Sequence, residues 1–252
     1  MRLTLLNPAA VLALALAALC VGPAFAADVQ VAVAANFTQP AQEIAAAFEA
    51  RTHSHVALSF GSSGQFYTQI AHGAPFEVFL SADADRPAQA EKEGLAVPGT
   101  RFTYAIGRLV LFSKTAGLVD GRGAVLKTGK FEKLAIADPA LAPYGAAAVQ
   151  TMTRLRVYDS LKPKLVSGTS INQAFQFVQS GAAELGFVAQ SQVIGEAGGS
   201  RWLVPDADHG LIEQQAVLLK TGAADPAAKA FLAFLEGRDA REVIKRFGYG
   251  TK

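Results

Sequence analysis

The apolar positions of the chain follow two rhythms that alternate for most of its length. "DVQVAVAA" is β-rich and runs straight into "NFTQPAQEIAAAFEART", where Ile44, Ala47 and Phe48 share one helical face. "HVALSFG" runs into the helical "SSGQFYTQIAHG", and "FEVFLSAD" into "RPAQAEKEG". Further on, "KLAIADP" precedes "PYGAAAVQTMTRL", "KPKLVSGT" precedes "SINQAFQFVQSG", and "ELGFVA" is another apolar strand. Strands followed by helices of this length predict βαβ units and parallel sheets.

Two stretches break the rhythm. "RFTYAIGRLVLFSK" and "LIEQQAVLLKTG" are extended and β-rich with no helical period, near residues 105 and 215. They bracket the middle of the chain, which predicts two Rossmann-like α/β lobes joined by two crossing strands. Residues 27–107 and 213–252 form lobe I in this reading, and residues 108–212 form an inserted lobe II. The tail "PAAKAFLAFLEGRDAREVIKRFGY" predicts two short amphipathic helices, marked by Phe231, Leu232 and Leu235, then Val243, Ile244 and Phe247.

The first residues predict a leader rather than part of the fold. Arg2 precedes the apolar run "NPAAVLALALAALCVG", and Ala24 and Ala26 have the small size that export cleavage after Ala26 requires. The run is too short and too abruptly ended for a membrane span. Cys20 is preceded by Leu19, a large residue where lipoprotein cleavage needs Gly or Ala. Residues 1–26 are therefore expected to be a cleavable signal peptide, and the exported chain to be periplasmic. Cys20 is the single cysteine, so the exported chain would have no disulfide and no thiolate metal site. Lys and Arg number 23 against 21 Asp and Glu, and no basic stripe points to nucleic acid.

Chemistry concentrates where strands hand over to helices. Four junctions carry small or polar residues: Ala35-Asn36-Phe37-Thr38, Gly61-Ser62-Ser63-Gly64, Pro143-Tyr144-Gly145 and Thr169-Ser170-Ile171-Asn172. A helix start leaves main-chain N–H groups without partners and carries a partial positive charge, so it can hold an anion without a cationic side chain. In open α/β sheets ligands gather at the carboxyl ends of strands, where all four junctions fall. None contains Lys, Arg or His, which suits a compact oxyanion held by hydroxyl and amide donors in fixed directions. Ser, Asn and Thr are also ordinary N-caps, and capping alone accounts for any single junction. The recurrence of four favours binding.

Other constellations read as structural. Asp83 and Asp85 are expected to cap the following helix, and His53, His55, His72 and His209 lack metal-ligand spacing. "GSSGQ" lacks the Gly-Lys-Ser/Thr end of a Walker loop, and its fifth residue, Gln65, is not the glycine of a nucleophile elbow.

At the junctions the sequence resembles the periplasmic molybdate-binding proteins, substrate receptors of ABC importers. "VAVAANFTQPAQEIAAAFE", "LSFGSSGQFYTQIAHGAPFEVFLSAD", "LAIADPALAPYG", "ELGFVAQSQV" and "FLEGRDAREVIKRFGY" carry the resemblance, which spans nearly all of residues 28–252. It implies a type II periplasmic binding protein that closes like a flytrap on a tetrahedral dianion in its interlobe cleft. Carried over position by position, the ligand-binding residues would be Asn36, Ser63, Tyr144 and Ile171, with Ala35 and Ser62 beside them. Asn36 would give its side-chain amide and main-chain N–H, Ser63 its hydroxyl and N–H, and Tyr144 and Ile171 main-chain donors. Many members carry a ligand tyrosine where this chain has Ala189, and the Asn36 amide is expected to compensate. The implied protein is no enzyme and has no cofactor: molybdenum enters only as bound molybdate. It would act as a monomer, take molybdate and tungstate, and deliver them to a membrane permease. A receptor for sulfate or phosphate, a serine hydrolase using Ser63 and an interaction-only protein stay open as alternatives.

Overall fold

The computed structural model describes residues 28–251; the expected signal peptide and Cys20 lie outside the described residues. Strand β1 (Val29–Ala34) passes through a 3-10 turn, Ala35–Phe37, into α1 (Thr38–Thr52). His53, in the left-handed conformation, ends α1. Then follow β2 (Val56–Gly61), α2 (Ser63–Ala71), β3 (Val78–Leu80), α3 (Asp85–Lys92) and β4 (Phe102–Gly107). The buried face of α1 is Ala41, Ile44, Ala45 and Phe48, with Ala47 only half-buried, so the apolar stripe lies slightly round from the predicted one.

One residue past β4, the chain enters a second sheet. It forms β5 (Leu109–Ser113), α4 (Val125–Thr128), β6 (Leu134–Ala137), α5 (Pro143–Arg154) and α6 (Tyr158–Leu161). It continues through β7 (Leu165–Gly168), α7 (Ile171–Gln179), β8 (Leu185–Ala189), α8 (Gln190–Val193) and β9 (Ser200–Leu203). The return is made by β10 (Ile212–Leu218), α9 (Pro226–Leu235) and α10 (Arg238–Arg246).

The two sheets share one plan. Lobe I orders its strands β2-β1-β3-β10-β4, and lobe II orders its own β7-β6-β8-β5-β9. In each, a central strand runs parallel to both neighbours: β1 between β2 and β3, β6 between β7 and β8. In each, the strand next to the far edge is antiparallel, β10 in one and β5 in the other. The stretch read as one extended segment around residue 105 is thus two strands, β4 and β5, in different sheets. The returning segment crosses as a loop with a short 3-10 turn, Asp206–Asp208, before β10 begins.

Helices cover both faces of the first sheet: α1 and the tail helices pack with Val29, Val31 and Val33, and α2 and α3 with Ala32 on the other side. On one face of the first sheet Phe48 meets Phe231 and Phe234 edge-on at 5.3 and 5.6 Å, which packs α9 against α1. Burial of the Phe48 and Phe231 rings stabilises the fold by about 1.5–3 kcal/mol each relative to exposure. The lobe II core includes Ala34, Ala35, Ala82 and Ile212 from the first lobe's strand ends, so packing is continuous where the lobes meet.

Candidate functional site

The starts of the helices divide capping from other tasks. Ser62 is the N-cap of α2: its Oγ accepts from the Gln65 N–H at 3.4 Å and donates to Gln65 Oε1 at 2.9 Å. Ser63, the first helical residue, instead accepts the Ala82 N–H at 2.9 Å and ties α2 to the end of β3. Ser170 caps α7 through the Gln173 N–H at 3.3 Å, and α5 starts on Pro143 with no side-chain cap. Asp83 caps the start of α3 through the Arg86 N–H at 3.0 Å and pairs with the Arg86 guanidinium.

The four junctions converge. One small, nearly filled cleft is lined by Ala35, Asn36, Ser62, Ser63, Tyr144 and Ile171, together with Ala34, Gly61, Ala82, Ala142 and Pro143. Every residue predicted at the site is therefore brought to one place. All six are buried, Ser63 and Tyr144 at 1% exposure. Ser63 and Ile171 are the first residues of their helices and Tyr144 the second of its own, so their N–H groups precede any intrahelical acceptor. No lining residue is charged. The larger groove beside it is lined by Asp83, Asp85 and Glu213 together with Arg86. Among the described residues no group of His, Cys, Asp and Glu could hold a metal ion.

Asn36 is placed differently from expectation. Its side-chain amide donates to Gln214 Oε1 at 2.7 Å and to the Tyr249 hydroxyl at 3.0 Å, so both amide N–H groups are spent inside lobe I. Buried acceptors at Gln214 and Tyr249 need donors, and that need captures the amide. The amide can serve an anion only by releasing one of these bonds. The Asn36 carbonyl accepts from Tyr249 Oη at 2.7 Å and from Ser191 Oγ of lobe II at 2.8 Å. Ala189 is fully buried at the end of β8, and its N–H goes to Gln192 Oε1 at 2.9 Å.

Behind the cavity lies a polar layer that sequence reasoning missed. Tyr104 donates to the Ser81 carbonyl at 3.2 Å and lies 3.3 Å from Gln214 Oε1, while Tyr249 reaches Ser191 Oγ at 3.0 Å. Tyr144 Oη and Gln214 Nε2 are buried without a partner at hydrogen-bonding geometry. The one sequence clue was the glutamine pair Gln214-Gln215 inside an otherwise apolar strand.

Burial pushes the Tyr249 phenol up to about 12 and those of Tyr104 and Tyr144 well above the ordinary tyrosine value. Between about pH 10 and 12 an unfolded chain releases phenolic protons that the folded chain keeps. The folded state then binds more protons, so stability falls as pH rises through that window. Thermal midpoints followed from about pH 9 to 12 are expected to drop, and to drop less steeply in Tyr249→Phe. Equal slopes in parent and variant would contradict this account.

The lobes touch around the cavity. The Gly64 N–H donates to the Leu141 carbonyl at 2.9 Å, and Arg86 Nη2 donates to the Ala140 carbonyl at 2.9 Å. On the other side Asn172 Nδ2 donates to Thr38 Oγ1 at 3.2 Å, and Gln192 Nε2 holds Asn172 Oδ1 at 2.8 Å. The cleft is closed.

The sequence and the fold have known relatives. Residues 29–250 match the family described as bacterial extracellular solute-binding protein. The chain is 59% identical over 230 residues to the molybdate-binding protein ModA of Rhodobacter capsulatus, covering 91% of both chains. It is 55% identical over 230 residues to the molybdate-binding protein ModA of Azotobacter vinelandii, covering 90% of this chain and 91% of that one. The solved structure of the Azotobacter vinelandii periplasmic molybdate-binding protein superposes with a TM-score of 0.86 at 40% identity, covering 89% of this chain and all of that one.

Proposed function

The chain belongs to the bacterial extracellular solute-binding protein family, and from that membership we propose that it captures molybdate in the periplasm for an ABC importer. The observation that carries this reading is the uncharged cavity at which four junctions converge, two from each lobe. Main-chain N–H groups of Asn36, Ser63, Tyr144 and Ile171 would face a tetrahedral oxyanion, joined by the Ser63 hydroxyl, whose proton is not needed for its bond with Ala82. Ala35 and Ser62 complete the wall. Each hydrogen bond to a charged oxygen contributes about 1.5–3 kcal/mol. Five such donors supply about 7.5–15 kcal/mol, to set against association costs of ~4–15 kcal/mol.

Tungstate, with nearly the same size and charge, fits the same donors. Sulfate is smaller, and donors on one lobe would be left unpaired by it, each at a cost of about 1–3 kcal/mol. Closure by the anion then requires that it bind the closed form more tightly than the open one. The closed outer surface would be what a membrane permease recognises. The hydrolase alternative gains no support: no histidine lines the cavity, and Ser63 Oγ already accepts a main-chain bond.

Thermal unfolding with excess molybdate, tungstate, sulfate or phosphate in turn tests the proposal. A ligand at about 100 times its Kd adds roughly 2.7 kcal/mol, which raises the midpoint by about 5–10 °C for a chain of this size. Molybdate and tungstate are expected to do so. A shift with sulfate or phosphate alone would overturn the choice of anion, and no shift with any would overturn the receptor reading.

A further inference from the structure

Gly64 is the second residue of α2, in an ordinary right-handed helical conformation that any amino acid can adopt. Glycine there weakens the helix relative to alanine, so the backbone does not explain it. Its surroundings across the cleft do. A Cβ built on Gly64 would lie 2.9 Å from the Leu141 carbonyl oxygen and 3.0 Å from Leu141 Cα, both main-chain atoms of the opposite lobe, and 3.0 Å from Arg86 Nη2. The guanidinium can move aside; the Leu141 backbone cannot do so without lifting its loop. That loop, Pro139–Ala142, runs directly into Pro143 and Tyr144 at the start of α5. Its carbonyls are gripped in succession from lobe I: Ala140 by Arg86, Leu141 by the Gly64 N–H.

We propose that Gly64 is the seat on which lobe II closes: the missing side chain sets how near the Tyr144 end of α5 can come to Ser63. The Gly64 N–H is spent on Leu141, so the residue acts on a bound anion only through closure, as a positioning residue. The inference rests on the receptor reading and deepens it.

The test is Gly64→Ala, read three ways beside the parent. The ligand-free midpoint is expected to stay level or rise slightly, because alanine favours the helix and the open cleft leaves its methyl free. The molybdate Kd is expected to rise at least about tenfold, through faster release at an unchanged association rate. Compaction on binding, read by small-angle X-ray scattering, is expected to be smaller than in the parent. A variant that matches the parent in Kd, release rate and compaction overturns the proposal. So does one whose ligand-free midpoint falls with its affinity, which would mark an ordinary packing defect. The parent titration separates this from the receptor reading. If the parent compacts with a different oxyanion, the choice of molybdate fails and the comparison with Gly64→Ala is made on that anion. If it compacts with none of the four, both readings fail.

Discussion

Gly145→Ala is expected to abolish measurable molybdate binding and to lower the stability of the ligand-free protein. Gly145 is the third residue of α5, and a Cβ there would sit 2.1 Å from the Ala137 carbonyl oxygen, 2.7 Å from the Ala137 carbonyl carbon and 3.0 Å from the Asp138 carbonyl carbon. All three are main-chain atoms at the end of β6, so no rotamer change relieves the contact. Relief requires α5 to withdraw by about 1 Å or more before ordinary contact distances return. Overpacking of this kind costs roughly 1–3 kcal/mol, and with backbone on the facing side the upper end applies. The same movement carries the Tyr144 N–H out of line with the cavity. Isothermal titration and a thermal melt check the two effects together. A variant with the parent's Kd would show that α5 does not hold the anion. The contrast with Gly64→Ala is diagnostic, because that methyl meets its obstacle only across the closed cleft, whereas this one meets it inside lobe II in every state.

These two glycines show what the sequence conceals. Both sit in helical segments, where glycine reads only as a weak helix former, and the atoms that exclude a side chain come from another strand or another lobe. The four junctions were legible because local signals define them: an apolar strand, small polar residues, then a helical period. The layer behind them was not. Ser191, Gln214 and Tyr249 reach Asn36 across sequence separations of 155, 178 and 213 residues, through isolated side-chain bonds that leave no periodic trace. The family resemblance gives the Asn36 amide to the anion, in compensation for the tyrosine absent at Ala189. Two buried protein acceptors in need of donors lie closer at hand. Strand β9 was missed because four residues, Ser200–Leu203, give too short a run for alternation to register, although Trp202 and Leu111 pair across it.

Asn36→Asp is expected to cost molybdate affinity through charge, where Gly145→Ala costs it through displacement. Burying a carboxylate in place of the amide costs stability, and part of that cost is met because one of the acceptors now facing Asn36 can change roles. Gln214 Nε2 is buried without a partner, so turning that amide presents a donor to the new carboxylate. The anion has no such recourse. The wall that holds it has no charged side chain, so binding depends on N–H dipoles that a carboxylate directly opposes. At about 4 Å and an effective dielectric near 20, one unit of like charge costs roughly 4 kcal/mol, and a dianion carries two. A loss of at least about 1,000-fold in Kd follows, since each ~1.4 kcal/mol is tenfold. The pH dependence gives the argument its own check. A bound dianion raises the pKa of the introduced carboxyl, so protonating it relieves the repulsion and affinity rises as pH falls. Titrations at about pH 8 and about pH 5 should therefore show the variant recovering part of its binding relative to the parent. Affinity near the parent's at pH 8 would show that Asn36 does not face the anion.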